Sequence, residues 1–144
     1  MSRLSLEDLA EEMRDIDFAM LSTHAEGGEI AGRPMSTNRD VAYDGTSYFF
    51  TLDSTRTVAD IARDPKVALS FTGRKGLFGK PPTFIAVEGR ATLIRDRAAF
   101  DAHWAKDLDD WFKQGADTPG LVLIQVEAAR ITCWKGMEET EVEL

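Results

Sequence analysis

One cysteine and two histidines among 144 residues leave this chain short of the soft ligands that build metal centres. Cys133 has no second cysteine to pair with inside the chain, so an oxidising compartment is not required. His24 and His103 lie far apart in sequence with no carboxylate at a familiar ligand spacing, which argues against a zinc site. Positive charge is scarce too. Lysine and arginine number 17 against 25 aspartates and glutamates, for a formal net charge of −8. Nucleic acids and anionic membrane surfaces demand a basic footprint, which this chain lacks overall. No apolar run reaches membrane-spanning length, and the opening "MSRLSLEDLAEEMRD" has no apolar core of signal-peptide length. The expectation is a cytoplasmic protein that takes no metal, no nucleic acid and no membrane.

What is present suits a single domain over residues 1–144. With 43% hydrophobic and 29% charged residues, the composition is that of a globular chain with a core to bury. Ser5 followed by Asp8 resembles a capping box, and Leu6, Leu9, Ala10 and Met13 recur at helical spacing, so 5–15 reads as an amphipathic helix. "DFAMLSTHA", the turn "EGGE" and "IAGRPMST" form a hairpin, and Asp44-Gly45 turns the chain into a third strand, "TSYFFTL". "TVADIARDP" is a short helix stopped by Pro65. "KVALSFTG" and "TFIAVEGRATLI" are strands, the second with Gly89 where a bulge or barrel bend is expected. "RAAFDAHWAKDLDDWFKQG" reads as a helix ending at Gly115, and "GLVLIQVEA" and "RITCWKGME" as two closing strands. Six or seven strands at hairpin-like spacing predict a mainly β protein: an antiparallel, Greek-key-like barrel decorated by helices.

Most charged and apolar features have ordinary explanations. Cys133 is apolar-flanked and suits a small core residue. The acidic stretches "DLAEEMRD" and "DLDD" suit solvated helix faces. "GRKGLFGKPP" fails as a phosphate loop, because its glycines are misspaced and Lys80 precedes proline where the motif needs Ser or Thr. It reads as a loop or lid whose Arg74, Lys75 and Lys80 would admit an anionic ligand.

The segment "YFFTLDSTRT" is different, because its strand ends in hydroxyls gathered round one arginine. Hydroxyls and a guanidinium are good phosphate donors, and a helix starting near Thr57 adds free backbone N–H groups and the positive end of its dipole. The simpler alternative is that Ser54 or Thr55 caps that helix. Arg33 in "AGRPMS", on a strand expected beside the third one, would bring a second cation to the same anion. Buried arginines without carboxylate partners are costly unless a ligand supplies the charge. The aromatic residues Phe49, Phe50, Trp104, Trp111 and Trp134 suit either a core or the walls around a flat ring.

"RPMS", "YFFTLDSTRTVADIARDPKVALSF", "VEGRATLI" and "FDAHWAKDLDDWFKQGADTPGLVLIQVEAARITCWKG", in that order, resemble the pyridoxamine 5′-phosphate oxidase-like proteins with the FMN-binding split barrel, and among them the bacterial general stress protein branch. The likeness runs from about Ile16 to Gly136. It implies a homodimer holding FMN, with FAD as the other option, at the subunit interface. Arg33, Pro34 and Met35 would line the site, Phe50 and Thr51 would set backbone against the flavin ring, and Thr55, Arg56 and Thr57 would clamp the phosphate. Trp134 in "CWKG" would reach the flavin near the interface, and Trp111 would approach the partner's flavin. Two departures stand out. Thr57 replaces the clamp lysine, a loss of about 1 kcal/mol or a few-fold to tenfold in affinity. The ending "MEETEVEL" is acidic where the oxidases grip the substrate phosphate with Arg and His, so oxidation of pyridoxamine phosphate is not expected. The resemblance implies an FMN-dependent oxidoreductase of unassigned substrate, or a non-catalytic flavin-buffering module. A drifted pocket, structural only or given to haem or a deazaflavin, is the third option.

Overall fold

A computed structural model describes residues 3–37, 42–73 and 77–144. The first helix, α1 (Leu6–Met13), starts as its sequence dictates: the Ser5 hydroxyl accepts the Asp8 backbone N–H at 3.1 Å, and Leu9 is fully buried. A two-residue strand β1 (Arg3–Leu4) precedes it. Strands β2 (Phe18–His24) and β3 (Ile30–Ser36) form the expected hairpin, with Gly27 and Gly28 at φ 82° and 85° in its turn, where side-chained residues would be strained. Strand β4 (Thr46–Leu52), helix α2 (Arg56–Arg63), and strands β5 (Lys66–Thr72) and β6 (Thr83–Ile94) follow near their predicted bounds.

The strands form one mostly antiparallel half-barrel. Its order is β1-β8-β7-β6-β5-β2-β3, with β7 (Leu121–Lys135) and β8 (Glu138–Val142) closing the chain. β7 pairs with β6 along one edge; on the other it takes β4 over Leu121–Glu127 and β8 over Thr132–Lys135. The changeover lies beside the bulge between Glu88 and Gly89 of β6. A Cβ on Gly89 would stand 2.5 Å from the Glu127 carbonyl oxygen, so only glycine lets the two strands approach so closely there.

Two apolar clusters fill the molecule. The larger joins Leu9 and Ile16 to the inward residues of β2, β5, β6 and β7, among them Leu21, Leu69, Val87 and Ile131, and includes Cys133. Burial pushes the Cys133 thiol up, as befits a core residue. The smaller packs Phe50, Leu121 and Leu123 against Phe100 and Leu108.

Three expectations need correction. The helix predicted to run to Gly115 stops early: α3 spans Arg97–His103, Trp104 is extended, and Lys106–Asp110 forms a 3-10 turn. The break lets Trp104 meet Phe50 edge-on at 4.9 Å and Phe112 at 5.9 Å, which an unbroken helix would carry past each other. The two closing strands are one, β7. The acidic ending forms a further strand: Glu138–Val142 pairs with β7 and sends Val142 into the core. Finally, β3 does not lie beside β4: β3 pairs only with β2, and β4 only with β7.

Candidate functional site

The hydroxyl-rich end of β4 does cap a helix. Thr55 Oγ1 accepts the Val58 N–H at 3.4 Å and donates to the Leu52 carbonyl at 2.9 Å, so its hydrogen-bonding capacity is largely used. Thr51 Oγ1 stands 3.4 Å from Thr55 Oγ1. Capping leaves the first backbone N–H groups of α2, at Arg56 and Thr57, facing the helix entrance. Arg56 is exposed and has no ion-pair partner among the described residues, whereas Thr57 is tucked inward at 7% exposure.

Arg33 behaves differently from Arg56. The sequence suggests an arginine without a carboxylate partner; the structure gives it one. Its Nη2 lies 3.5 Å from Asp60 Oδ2, and its Nη1 donates to Thr23 Oγ1 at 2.8 Å and to the Leu21 carbonyl at 3.3 Å. Thr23 in turn donates to Asp60 Oδ2 at 2.8 Å, and Arg63 Nη2 reaches Asp60 Oδ1 at 2.9 Å. Asp60 and Thr23 are both buried. Burial pushes the Asp60 carboxyl up, but the hydrogen bonds from Thr23 and Arg63 and the charges of Arg63 and Arg33 outweigh it, holding the group below the usual carboxylate range. Asp60 lies one turn beyond Thr57 on the same face of α2, so Arg33 is held beside the first half of that helix. Its Nε and one Nη2 hydrogen remain unspent.

Neither Thr23 nor Asp60 stands out in the sequence as a functional residue. Their signals were there: Thr23 follows Ala19 and Leu21 at inward strand spacing, and Asp60 follows Thr57 and precedes Ile61 on the inward face of α2. A buried hydroxyl and a buried carboxylate need partners, and each is the other's.

The remaining expected site residues scatter. Met35 packs against the main core and Pro34 is exposed on the opposite side of β3. The Phe50 side chain belongs to the smaller core, at 5.9 Å from Phe100. Trp111 is 65% exposed and lines a groove of about 550 Å³ with Phe18, Ser36 and Thr37, at the end of β3. Trp134 sits opposite Phe84, four strands from β3 in the sheet order. One chain brings Thr51, Thr55 and Arg56 together and places Arg33 beside their helix, but leaves Trp134 outside. Arg74 and Lys75, expected on a lid, lie outside the described residues; Lys80 is exposed. Among the described residues no three His, Cys, Asp or Glu side chains converge as metal ligands, and no helix is long and apolar enough to cross a membrane.

These features have counterparts. General stress protein 26 of Bacillus subtilis (strain 168) is 29% identical over 126 residues, spanning 84% of this chain and 88% of its own. A protein related to general stress protein 26 from Clostridium acetobutylicum superposes with a TM-score of 0.79 at 19% identity, over 96% of this chain and 94% of its own. A protein from Mesorhizobium loti described as FAD-binding superposes at 0.67 and 16% identity, over 85% and 88% of the two chains. These likenesses establish the split-barrel fold. The family model described as "Pyridoxamine 5′-phosphate oxidase like" matches residues 5–143, and with nearly the whole chain inside that match, the protein belongs to the pyridoxamine 5′-phosphate oxidase-like family.

Proposed function

We propose that this chain is a flavin-binding protein of the general-stress type, acting as an FMN-dependent oxidoreductase in a homodimer. The observation that carries the reading is the entrance of α2, where the open guanidinium of Arg56 and two backbone N–H groups flank the Thr51–Thr55 hydroxyl pair. That donor set suits the phosphate of a flavin mononucleotide, and Arg33, paired with Asp60 one turn along the same helix, adds positive charge nearby. On this reading the backbone of Phe50 and Thr51 meets the ring, with the Phe50 side chain held in the smaller core and the Met35 side chain in the main one. Thr57 supplies no charge, so Arg56 carries the clamp. When bound, the isoalloxazine supplies the electron chemistry; the protein holds it and sets its surroundings.

The tryptophan at position 134 enters this reading only across a pair of chains. Phe18 and Phe84 are 53% and 43% exposed, and Phe84 faces Trp134 directly across β6 and β7. Pairing two copies through this face would cover them and offer the tryptophan to the other copy's site. The cofactor is FMN on this reading, and FAD is the competing occupant, in keeping with the Mesorhizobium loti protein.

Purified protein incubated with FMN and passed through gel filtration is expected to elute yellow, with one flavin per chain. A colourless protein would end both the oxidoreductase and the buffering readings. Anaerobic bleaching of the loaded protein by NADH or NADPH supports the oxidoreductase; a flavin that stays oxidised leaves the buffering module.

A further inference from the structure

A cleft opens toward the other end of β4 from Thr51 and Thr55. It is a cavity of about 590 Å³ between α1 and the start of β4, within the size range of small-molecule sites. Its lining runs along β4 from Thr46 to Phe49 and stops two residues, about 7 Å, short of Thr51, so it includes neither hydroxyl of the α2 entrance. Its walls are apolar and largely aromatic: Met13, Ile16, Tyr43, Tyr48, Phe49 and Phe71. Tyr48 is held flat by His103, whose ring stacks on it at 3.7 Å and 18°. A wall so fixed favours a flat ring sliding in face-on.

The charge around the opening is one-sided. Glu7, Glu11 and Asp44 line it, and among the described residues Arg14 is the one lysine or arginine that does so. Arg14 is already paired with Glu11 at 2.7 Å, which leaves Glu7 and Asp44 uncompensated by any cation among the described lining residues. The Tyr43 phenol adds no charge, because burial and the neighbouring Asp44 push its ionisation up. An anion entering here meets repulsion from carboxylates at the rim and finds no unpaired guanidinium among the described lining residues. A cation meets the reverse, and the ring faces reinforce it.

We propose that this cavity binds a small, flat aromatic molecule carrying a positive group, its ring against Tyr48 and its charge at the rim formed by Glu7, Glu11 and Asp44. If the flavin reading of the α2 entrance holds, this is where the substrate sits, and the substrate is a cationic aromatic and not a phosphorylated one. The pocket itself does not depend on that reading.

The test uses three ligands of one shape: 2-naphthylmethylamine, 2-naphthylmethanol and 2-naphthoic acid, which are cationic, neutral and anionic at neutral pH. They are titrated into the purified full chain, first without added flavin and then with FMN. The amine is expected to bind one per chain and at least tenfold tighter than the acid, with the alcohol between. Nuclear Overhauser contacts should join its ring to Tyr48 and Phe49. In the double variant Glu7→Gln, Glu11→Gln the amine should fall to within a few-fold of the alcohol. Ala10→Phe, on the cavity wall, should weaken all three ligands at least tenfold; if that variant does not fold, the contacts to Tyr48 decide. Equal affinity for amine and acid, no saturable amine binding, or a bound amine without contacts to Tyr48 would each overturn the proposal. Amine binding with no FMN binding would leave the pocket standing and end the flavin reading alone.

Discussion

Asp60 is the residue on which the α2 side of the molecule turns. It holds a strand hydroxyl and two arginines, yet it is itself almost fully buried. Removing one member of such a cluster leaves the others unpaired, which typically costs about 3 kcal/mol or more. Asp60→Ala should therefore lower the melting temperature by about 10 °C at neutral pH, for a chain of this size. The pH dependence has a definite sign. The folded carboxyl ionises below its unfolded value, so its contribution is present above the ordinary aspartate range and disappears as the pH falls below it. Thermal melts at neutral and strongly acid pH should differ less in Asp60→Ala than in the wild type. Arg56 makes the contrasting case, being exposed and without a described carboxylate partner. Arg56→Ala should leave the melt unchanged while weakening FMN about tenfold, the worth of a charge-assisted phosphate contact, and riboflavin hardly at all. Parallel losses for the two flavins would remove Arg56 from the phosphate clamp. The sequence made Arg56 and the Thr55 cap visible because both depend on neighbours within four residues. The Thr23–Asp60–Arg33 cluster spans β2, α2 and β3, and no local spacing announces a partner 37 residues away.

The elements most legible in the sequence were those built from strict alternation or a capped helix: α1 with Ser5, the β2–β3 hairpin, and β6 with its bulge at Gly89. Where packing overrode local pattern, sequence reasoning failed. Residues 97–115 have helical composition throughout, but Trp104 and Phe112 have more to gain against Phe50 than along a helix axis. The strand Glu138–Val142 has no alternating apolar signal in "MEETEVEL", because its buried contact is the single Val142. Gly89 gives the sharpest element-scale prediction. Any side chain there runs into the Glu127 carbonyl, a backbone atom that cannot rotate away. Gly89→Ala should cost about 2 kcal/mol or more through overpacking, read as a lower urea midpoint with unchanged slope. Gly115→Ala provides a control, since no atom lies within 4 Å of its added methyl and only its φ of 60° is strained. The Gly115 variant should lose less than the Gly89 one.

At the scale of the whole molecule, the outer face of the sheet is out of keeping with an acidic, monomeric chain. The register places Thr72, Phe84 and Trp134 in one row, with Phe18 continuing it on β2, and Pro34, Met20, Ser70 and Ala86 in the next. Phe18, Met20 and Phe84 are each more than 40% exposed. Exposed large apolar side chains spaced by small hydroxyl residues, as Thr72 and Ser70 space these, suit an interaction face. A second copy is the occupant that the proposed function requires, since that reading brings Trp134 to the site from another chain. The wild type should therefore sediment as a dimer at micromolar concentration. The double variant Phe18→Ser, Phe84→Ser should shift toward monomer with its melt little changed, since neither side chain belongs to the core. Its FMN affinity should then fall with the dimer population and recover at high protein concentration. A monomeric variant that keeps full FMN affinity would confine the flavin site to a single chain. A monomeric wild type would remove Trp134 from the site altogether.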